Sequence, residues 1–237
     1  MRYVKVALNN ENKEDQKGKI KIVKDGPYIV SGGVPLAEKI IVAKGKKYEY
    51  QLGRELPQAE TYALCRCGKS KNTPFCDGTH MESHFQGEET ASKEKYLDRT
   101  EFFKGPGVDL LDDDRCAFAR FCHRDSGNAW ELTELSDNEE YIAEAIRAAC
   151  DCPAGRLTAV DKDGTIIEAE LVPEIDIIQD PERGASAGIF VKGYIPIESA
   201  DGSVYEVRNR AALCRCGKSR NMPFCDATHI TVRFNDK

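Results

Sequence analysis

Cys65, Cys67, Cys76 and His80 recur as Cys214, Cys216, Cys225 and His229, each set spaced C-x-C-x8-C-x3-H. The sixteen-residue stretches that hold them agree at thirteen positions, and Ala-Leu precedes both. Agreement on this scale marks an internal repeat. Three thiols and one imidazole form a soft donor set, suited to zinc or an iron–sulfur cluster and not to magnesium or calcium. Structural zinc sites use C-x2-4-C knuckles, but here a single arginine, Arg66 or Arg215, separates the first two cysteines. In extended backbone, residues i and i+2 point the same way. That suits two thiolates on one iron, with Cys76 and His80 on a second. Gly68 and Gly217 leave room for backbone close to inorganic sulfide. Pro74 and Pro223 fix φ before the third cysteine. Asp77 and Asp226 suit the N-cap of a short helix carrying the histidine. A zinc site remains the alternative.

The pattern C-x-C-x2-Ser-x3-Pro-x-Cys-Asp-Gly-Thr-His resembles the signature of the CDGSH iron–sulfur proteins, the mitoNEET-like family. The first copy matches at every defined position; the second has Ala227 in place of glycine. The resemblance implies one [2Fe-2S] cluster per motif, with iron held by Cys65, Cys67, Cys76 and His80 and by Cys214, Cys216, Cys225 and His229. Single-motif relatives dimerise through a β-sandwich. This chain is therefore expected to form that dimer internally, as a monomer with pseudo-twofold symmetry.

Net charge is −6 in 237 residues, which argues against a general nucleic-acid surface. Hydrophobic residues make up 41%, enough for a buried core. The N-terminal ten residues have no apolar signal core, and no run approaches the roughly 18 apolar residues of a membrane span. Ten cysteines then read as ligands in a reducing compartment rather than as disulfides, and a cytoplasmic location is expected. Arg66, Lys69, Lys71, Arg215, Lys218 and Arg220 form a local basic surround, either a solvated face or a docking surface for an acidic partner.

The elements around the motifs read as short strands: residues 19–23, 28–30, 40–42, 47–52 and 62–64, with turns at Asp25-Gly-Pro27 and Lys44-Gly45. Gly188-Ile-Phe-Val-Lys-Gly193 resembles Pro27-Tyr-Ile-Val-Ser-Gly32, so the repeat extends beyond the motifs, and residues 203–208 read as a further strand. Phe85 and Phe234 each follow their histidine by five positions. Residues 86–111 read as linker.

Between the copies lies a second cysteine group: Cys116 and Cys122 as C-x5-C, then Cys150-Asp-Cys152-Pro153. Ser136 and Glu139 suggest a capping box. Tyr141, Ile142, Ala145, Ile146 and Ala149 give a helical stripe that ends at Pro153 and delivers Cys150 and Cys152. Val160 and Ile166 flank a hairpin turn. The arrangement resembles half of a bacterial-type ferredoxin, C-x2-C-x2-C followed at a distance by Cys-Pro, with Ala119 where the middle cysteine would stand. That resemblance implies a third cluster, [3Fe-4S] on Cys116, Cys122 and Cys152, or [4Fe-4S] if Cys150 joins. Buried free thiols or a Cys122–Cys150 disulfide are the alternatives. Trp130 reads as core, Asp112–Asp114 as a solvated turn, and His84 and His123 as surface residues.

The expected fold class is α+β, mainly β. Residues 1–90 are an N-terminal β-rich CDGSH [2Fe-2S] domain, 91–172 a linker and divergent ferredoxin-like α+β domain, and 173–237 a C-terminal CDGSH [2Fe-2S] domain. The chain is expected to be a non-enzyme: no nucleotide loop, no G-x-S-x-G and no separate acid–base pair is present. Its partners would be a redox or cluster-acceptor protein, with neither nucleic acid nor membrane. Electron transfer is the leading function; a cluster donor or redox sensor and a zinc-bound interaction module are the alternatives. Histidine ligation should raise the cluster potential above all-cysteine types, and protonation of the imidazole should loosen the cluster in acid.

Overall fold

A computed structural model describes residues 2–6 and 18–236. Part of the N-terminal stretch considered above, residues 7–17, lies outside the described residues. The strands are β1 (Tyr3–Val6), β2 (Lys19–Ile22), β3 (Tyr28–Ser31), β4 (Leu36–Lys44), β5 (Lys47–Leu52), β6 (Thr61–Leu64), β7 (Glu101–Phe103), β8 (Val108–Asp112), β9 (His123–Arg124) and β10 (Gly127–Asn128). They continue with β11 (Leu157–Asp161), β12 (Ile166–Ala169), β13 (Glu174–Asp180), β14 (Ala185–Lys192), β15 (Ile197–Glu198) and β16 (Arg210–Leu213). The α-helices are α1 (Thr79–Glu82), α2 (Ala129–Glu134), α3 (Glu139–Cys150) and α4 (Thr228–Thr231). The fold is α+β with strand predominating.

Two sheets carry the motifs. One runs β15-β2-β3-β6 and the other β16-β14-β13-β4-β5. Each borrows from the other half of the sequence: the first takes β15, the second β4 and β5. β15 lies parallel to β2, with Ile197 opposite Ile20; β4 lies parallel to β13, with Leu36 opposite Ile175. Registers match across the halves: Tyr28 faces Leu64 as Ile189 faces Leu213. Period-2 alternation sends Ile20, Ile22, Tyr28, Val30 and Leu64 into the same apolar core as Ile175, Ile177, Ile189, Val191 and Leu213.

The outer faces differ. On β2 the outward Lys19 and Lys21 are exposed, the pattern of a sheet with one wet face. β14 is buried from Ala185 to Val191. Its second face packs on Ala117, Ala119 and Phe121 of the middle segment.

That segment forms its own sheet, β1-β12-β11-β8-β7, with α2 and α3 packed on it through Leu132, Ala145, Ala148 and Ala149. The first strand of the chain joins here, Tyr3 opposite Ala169, and not the sheets of the N-terminal motif. The hairpin about Val160 and Ile166 forms as expected. The α3 N-cap is Asn138, whose side chain accepts from Tyr141 N–H at 3.1 Å, and not Ser136. Ser136 is buried and donates to Thr133 O at 2.7 Å, because a small hydroxyl suits the tight turn between the helices. The capping box belongs to α2, between Asn128 and Glu131. Residues 86–111 are structured rather than linker: Thr90 and Ala91 donate to Met222 O at 2.9 and 2.8 Å. Residues 203–208 form no strand beyond a bridge at Val204. Asp112 and Asp113 are not a solvated turn. Asp112 accepts two bonds from Arg156, at 2.5 and 2.7 Å, and Asp113 pairs with Arg99, while Asp114 is open to solvent.

Candidate metal centre

Each motif loop is built by contacts within a few residues. Ser70 Oγ donates to Phe75 O at 2.6 Å and accepts from Asn72 N–H at 3.0 Å. Ser219 does the same with Phe224 at 2.6 Å and Asn221 at 3.0 Å. Cys65 N–H donates to Pro74 O and Cys214 N–H to Pro223 O, both at 2.8 Å. Asp77 accepts from Lys71 N–H at 2.8 Å and Thr79 N–H at 3.0 Å, and these bonds hold its carboxyl well below the usual carboxylate range. It does so one residue ahead of the N-cap, which is Gly78. The second motif has Ala227 at that position with φ 66°.

The four expected ligands of each motif come together as two pairs. Cys65 and Cys67 Sγ are 3.6 Å apart, and Cys214 and Cys216 Sγ 3.7 Å apart. Cys76 Sγ lies 3.3 Å from His80 Nδ1, and Cys225 Sγ 3.4 Å from His229 Nδ1. Tetrahedral bonds of about 2.3 Å to sulfur and about 2.1 Å to nitrogen separate two thiolates on one metal by about 3.8 Å, and a thiolate and an imidazole by about 3.6 Å. Each pair therefore has the spacing of ligands sharing one metal. Among the described residues, no three cysteine, histidine or acidic side chains converge on one ion position. Two pairs per motif fit a two-metal group better than a single zinc.

Within each C-x-C pair one thiol is held down while its partner, Cys67 or Cys216, is pushed up by the bond between them. Cys65 is lowered to about 6 by its hydrogen bond with Cys67, helped by the N–H groups of Ser70, Gly68 and Lys69 and opposed by burial. Cys214 is lowered to about 7 by Cys216, with Ser219, Lys218 and Gly217 in the same role. Burial pushes Cys76 and Cys225 up. Burial also lowers His229 to about 4, keeping its imidazole neutral, the form that binds metals. His229 Nε2 is buried with no hydrogen-bond partner among the described residues.

The two motifs touch through their glycines. A Cβ on Gly68 would lie 2.6 Å from Cys216 O, and one on Gly217 would lie 2.5 Å from Cys67 O. Both have positive φ, 71° and 69°, so glycine is required here by backbone angle and by space.

Other residues at the site were not read as such from the sequence. Arg66 and Arg215 are not part of a basic surface; they are 1% and 2% exposed. Arg66 donates to Gly26 O at 2.8 Å and Val23 O at 3.0 Å. Arg215 donates to Ala187 O at 2.9 Å and Ile178 O at 2.7 Å and pairs with Asp236. Their guanidinium groups lie 5.3 Å from the Phe85 ring and 5.4 Å from the Phe234 ring, so the repeated phenylalanines were the available signal. Tyr28 Oη, from the first half, donates to Cys214 O at 2.9 Å and Pro223 O at 3.1 Å in the second motif. Lys69, Lys71, Lys218 and Arg220 are exposed.

In the middle segment, Cys116, Cys122 and Cys152 line one cavity of about 390 Å³. Cys150 does not. Its thiol is buried in the core under α3 and donates to Ile167 O at 3.5 Å. Cys122 is raised to about 12 by burial, with Cys152 and Cys116 adding to the shift. The 116–122 loop turns through positive φ at Phe118 (58°) and Arg120 (68°), and Phe118 N–H donates to Cys116 Sγ at 3.3 Å. Backbone turned this way makes an anion-binding concavity. All ten cysteines are free. His84 and His123 are exposed, and Trp130 is half-buried with Nε1 donating to Asp112 at 3.2 Å.

No described helix is long and apolar enough to cross a membrane. Residues 25–81 and 188–230 match the iron-binding zinc finger of CDGSH type. The mouse (Mus musculus) CDGSH iron-sulfur domain-containing protein 3, mitochondrial, is 62% identical over 27 residues, which cover 11% of this chain and 20% of that protein. No solved structure matches. The motif geometry recurs in both matched regions, so the chain carries two segments similar to the CDGSH type.

Proposed function

We propose that each motif holds one [2Fe-2S] cluster and that the chain is a one-electron carrier. In each, the C-x-C pair takes one iron and the Cys–His pair the other: Cys65 and Cys67 with Cys76 and His80, then Cys214 and Cys216 with Cys225 and His229. The observation that supports this reading is the division of the four side chains into two close pairs, 3.6 and 3.3 Å in the first motif. Such a cluster supplies one-electron chemistry. The chain supplies a close thiol pair of which one member is readily deprotonated, N–H donors from the Gly68–Ser70 turn, and a neutral imidazole at His229. The exchanged strands and the reciprocal glycine contacts support reading residues 1–90 and 173–237 as modules paired in an internal pseudo-dimer about a β-sandwich, with residues 91–172 as a ferredoxin-like insert. Cys116, Cys122 and Cys152 are the proposed ligands of a third cluster, [3Fe-4S], or [4Fe-4S] with one iron not held by cysteine, since Cys150 faces elsewhere.

The test is iron, acid-labile sulfide and zinc per chain after anaerobic purification, with visible and EPR spectra. About four irons or more, as two two-iron clusters require, are expected. A colourless protein with one zinc per motif would overturn the reading. A second reading, cluster donation, is favoured by the half-buried Cys76 and His80, which leave one end of the first cluster near solvent. Loss of iron to an apo-acceptor faster than electron exchange would favour it.

A further inference from the structure

Cys225 sits in one apolar cluster with Ala117, Ala119 and Phe121, the residues strung between Cys116 and Cys122. The loop that would wrap the middle centre is therefore also the wall over the third ligand of the C-terminal motif. Ala154, two residues after Cys152, lines the cavity of the three thiols and a narrow cleft that reaches Phe224 and Cys225. At the N-terminal motif nothing comparable covers the same ligands among the described residues. Cys76 and His80 are half-buried, and the next residue, Met81, is 70% exposed. The two motifs then meet at Gly68 and Gly217, each against the backbone of the other's second cysteine.

From this chain of contacts we infer that the protein is an ordered electron relay: middle centre, C-terminal cluster, N-terminal cluster, then an external acceptor docking beside Cys76, His80 and Met81. The inference rests on the cluster assignment proposed above. Electron exchange falls steeply with distance, so the middle centre would communicate with the cluster whose ligand Cys225 packs in one apolar cluster with the 116–122 loop. Each step moves one electron. Loaded with clusters, Cys116, Cys122 and Cys152 would hold the entry group, reduced by a low-potential one-electron carrier; Cys214, Cys216, Cys225 and His229 would hold the group that takes that electron next; and Cys65, Cys67, Cys76 and His80 would hold the last, from which a one-electron acceptor protein would take it. Solvent exposure is among the factors that set iron–sulfur potentials. Water stabilises the added negative charge, so the half-exposed N-terminal cluster is the higher-potential member of the pair and the sink of the relay.

The experiment is stepwise anaerobic reduction with dithionite, followed by low-temperature EPR, on the full chain and on H80C, H229C, C122S and C152S. The two histidine variants identify the signals, because a thiolate in place of imidazole lowers the potential of its own cluster. The first electron should appear in the signal altered by H80C, favoured about tenfold, which for a one-electron couple is about 59 mV. The signal altered by H229C should be broadened and relax fast beside a paramagnetic middle centre. It should sharpen in C122S and C152S, with the N-terminal signal unchanged. First reduction of the C-terminal cluster, or broadening confined to the N-terminal signal, would overturn the order. Two [2Fe-2S] signals with no third centre would remove the relay's entry and end the inference while leaving the two-cluster reading intact. Absence of iron would end both.

Discussion

Cys76 and His80 stand half-buried near solvent, whereas Cys225 and His229, at the same places in the second copy, are 4% and 2% exposed. The loops are nearly superposable in their internal hydrogen bonds, so the contrast is imposed from outside. The N-terminal sheet turns a charged face to water, and the C-terminal sheet is roofed by the 116–122 loop. The supporting charges differ as well. Asp236, two positions after Phe234, pairs with Arg215. The corresponding position after Phe85 is Gly87, and Arg66 keeps one nitrogen without a hydrogen-bond partner among the described residues. Asp25, on that side, accepts from Gly87 N–H at 2.8 Å. A duplicated site can thus keep its ligands and diverge in everything that tunes them.

The largest expected effect comes from breaking the roof. Arg210 on β16 donates to Ala149 O and Cys152 O, both at 2.7 Å, to Leu157 O at 3.0 Å and to Glu168 at 2.9 Å. It ties the C-terminal module to the middle segment and holds the backbone of Cys152. Arg210→Ala leaves Glu168 buried with its bond from Asn209 but without its ion-pair partner and should cost about 3–5 kcal/mol, read by thermal unfolding. Retention of wild-type stability would mean that the two parts are not coupled. The same pair gives a pH signature. Burial alone would raise Glu168, but Arg210 and Asn209 hold it below its ordinary 4.5. A depressed carboxyl contributes stability above that ordinary value, and the contribution disappears as pH falls through the folded value. The acid-side loss of Tm should flatten in Glu168→Gln.

Next in size is Asp236→Ala. It leaves Arg215 with two carbonyl partners and an uncompensated charge, at a cost of about 3 kcal/mol. Arg66, which has no such carboxylate, supplies the comparison: Arg66→Met should cost visibly less in the same denaturant titration, and equal costs would remove the electrostatic difference between the halves. Gly68→Ala and Gly217→Ala should each cost roughly 1–3 kcal/mol from positive φ, with collision against the opposite motif added. Their contacts are reciprocal, so the two costs should agree; a large inequality in Tm would break the symmetry of the junction. The smallest effect tests the one departure from the shared motif. Ala227→Gly should gain about 1 kcal/mol by relieving left-handed backbone, and Gly78→Ala should lose a similar amount.

Much of this was legible without coordinates because the determinants are local. The ligand pairs and the strand that feeds Cys65 follow from residues within a few positions of one another, whereas the strand before Cys214 lies at Arg210–Leu213 and not at residues 203–208. The β3 and β14 correspondence could be read from the repeated Gly-bounded segments, and α3 from its apolar period. Local patterns failed where a distant partner reassigned a residue. Arg66 and Arg215 looked like surface charge until backbone carbonyls and a phenylalanine ring enclosed them. Asp112 and Asp113 looked solvated until Arg156 and Arg99 were brought to them. Cys150 looked available as a fourth ligand until the end of α3 turned its thiol into the helix–sheet core. Ser136 lost the cap to Asn138 for the same reason, a buried turn between helices that periodicity does not reveal.

By itself, then, the sequence determined the ligand types, their pairing within each motif and the near-identity of the two loops, because backbone geometry over sixteen residues is set by short-range sterics and hydrogen bonds. Tertiary structure alone decided that the halves exchange β15 for β4 and β5, that the glycines meet across the junction, and that one motif is roofed and the other open. Those outcomes depend on contacts between residues far apart in the chain, where burial of apolar surface and pairing of buried charge outweigh local preference.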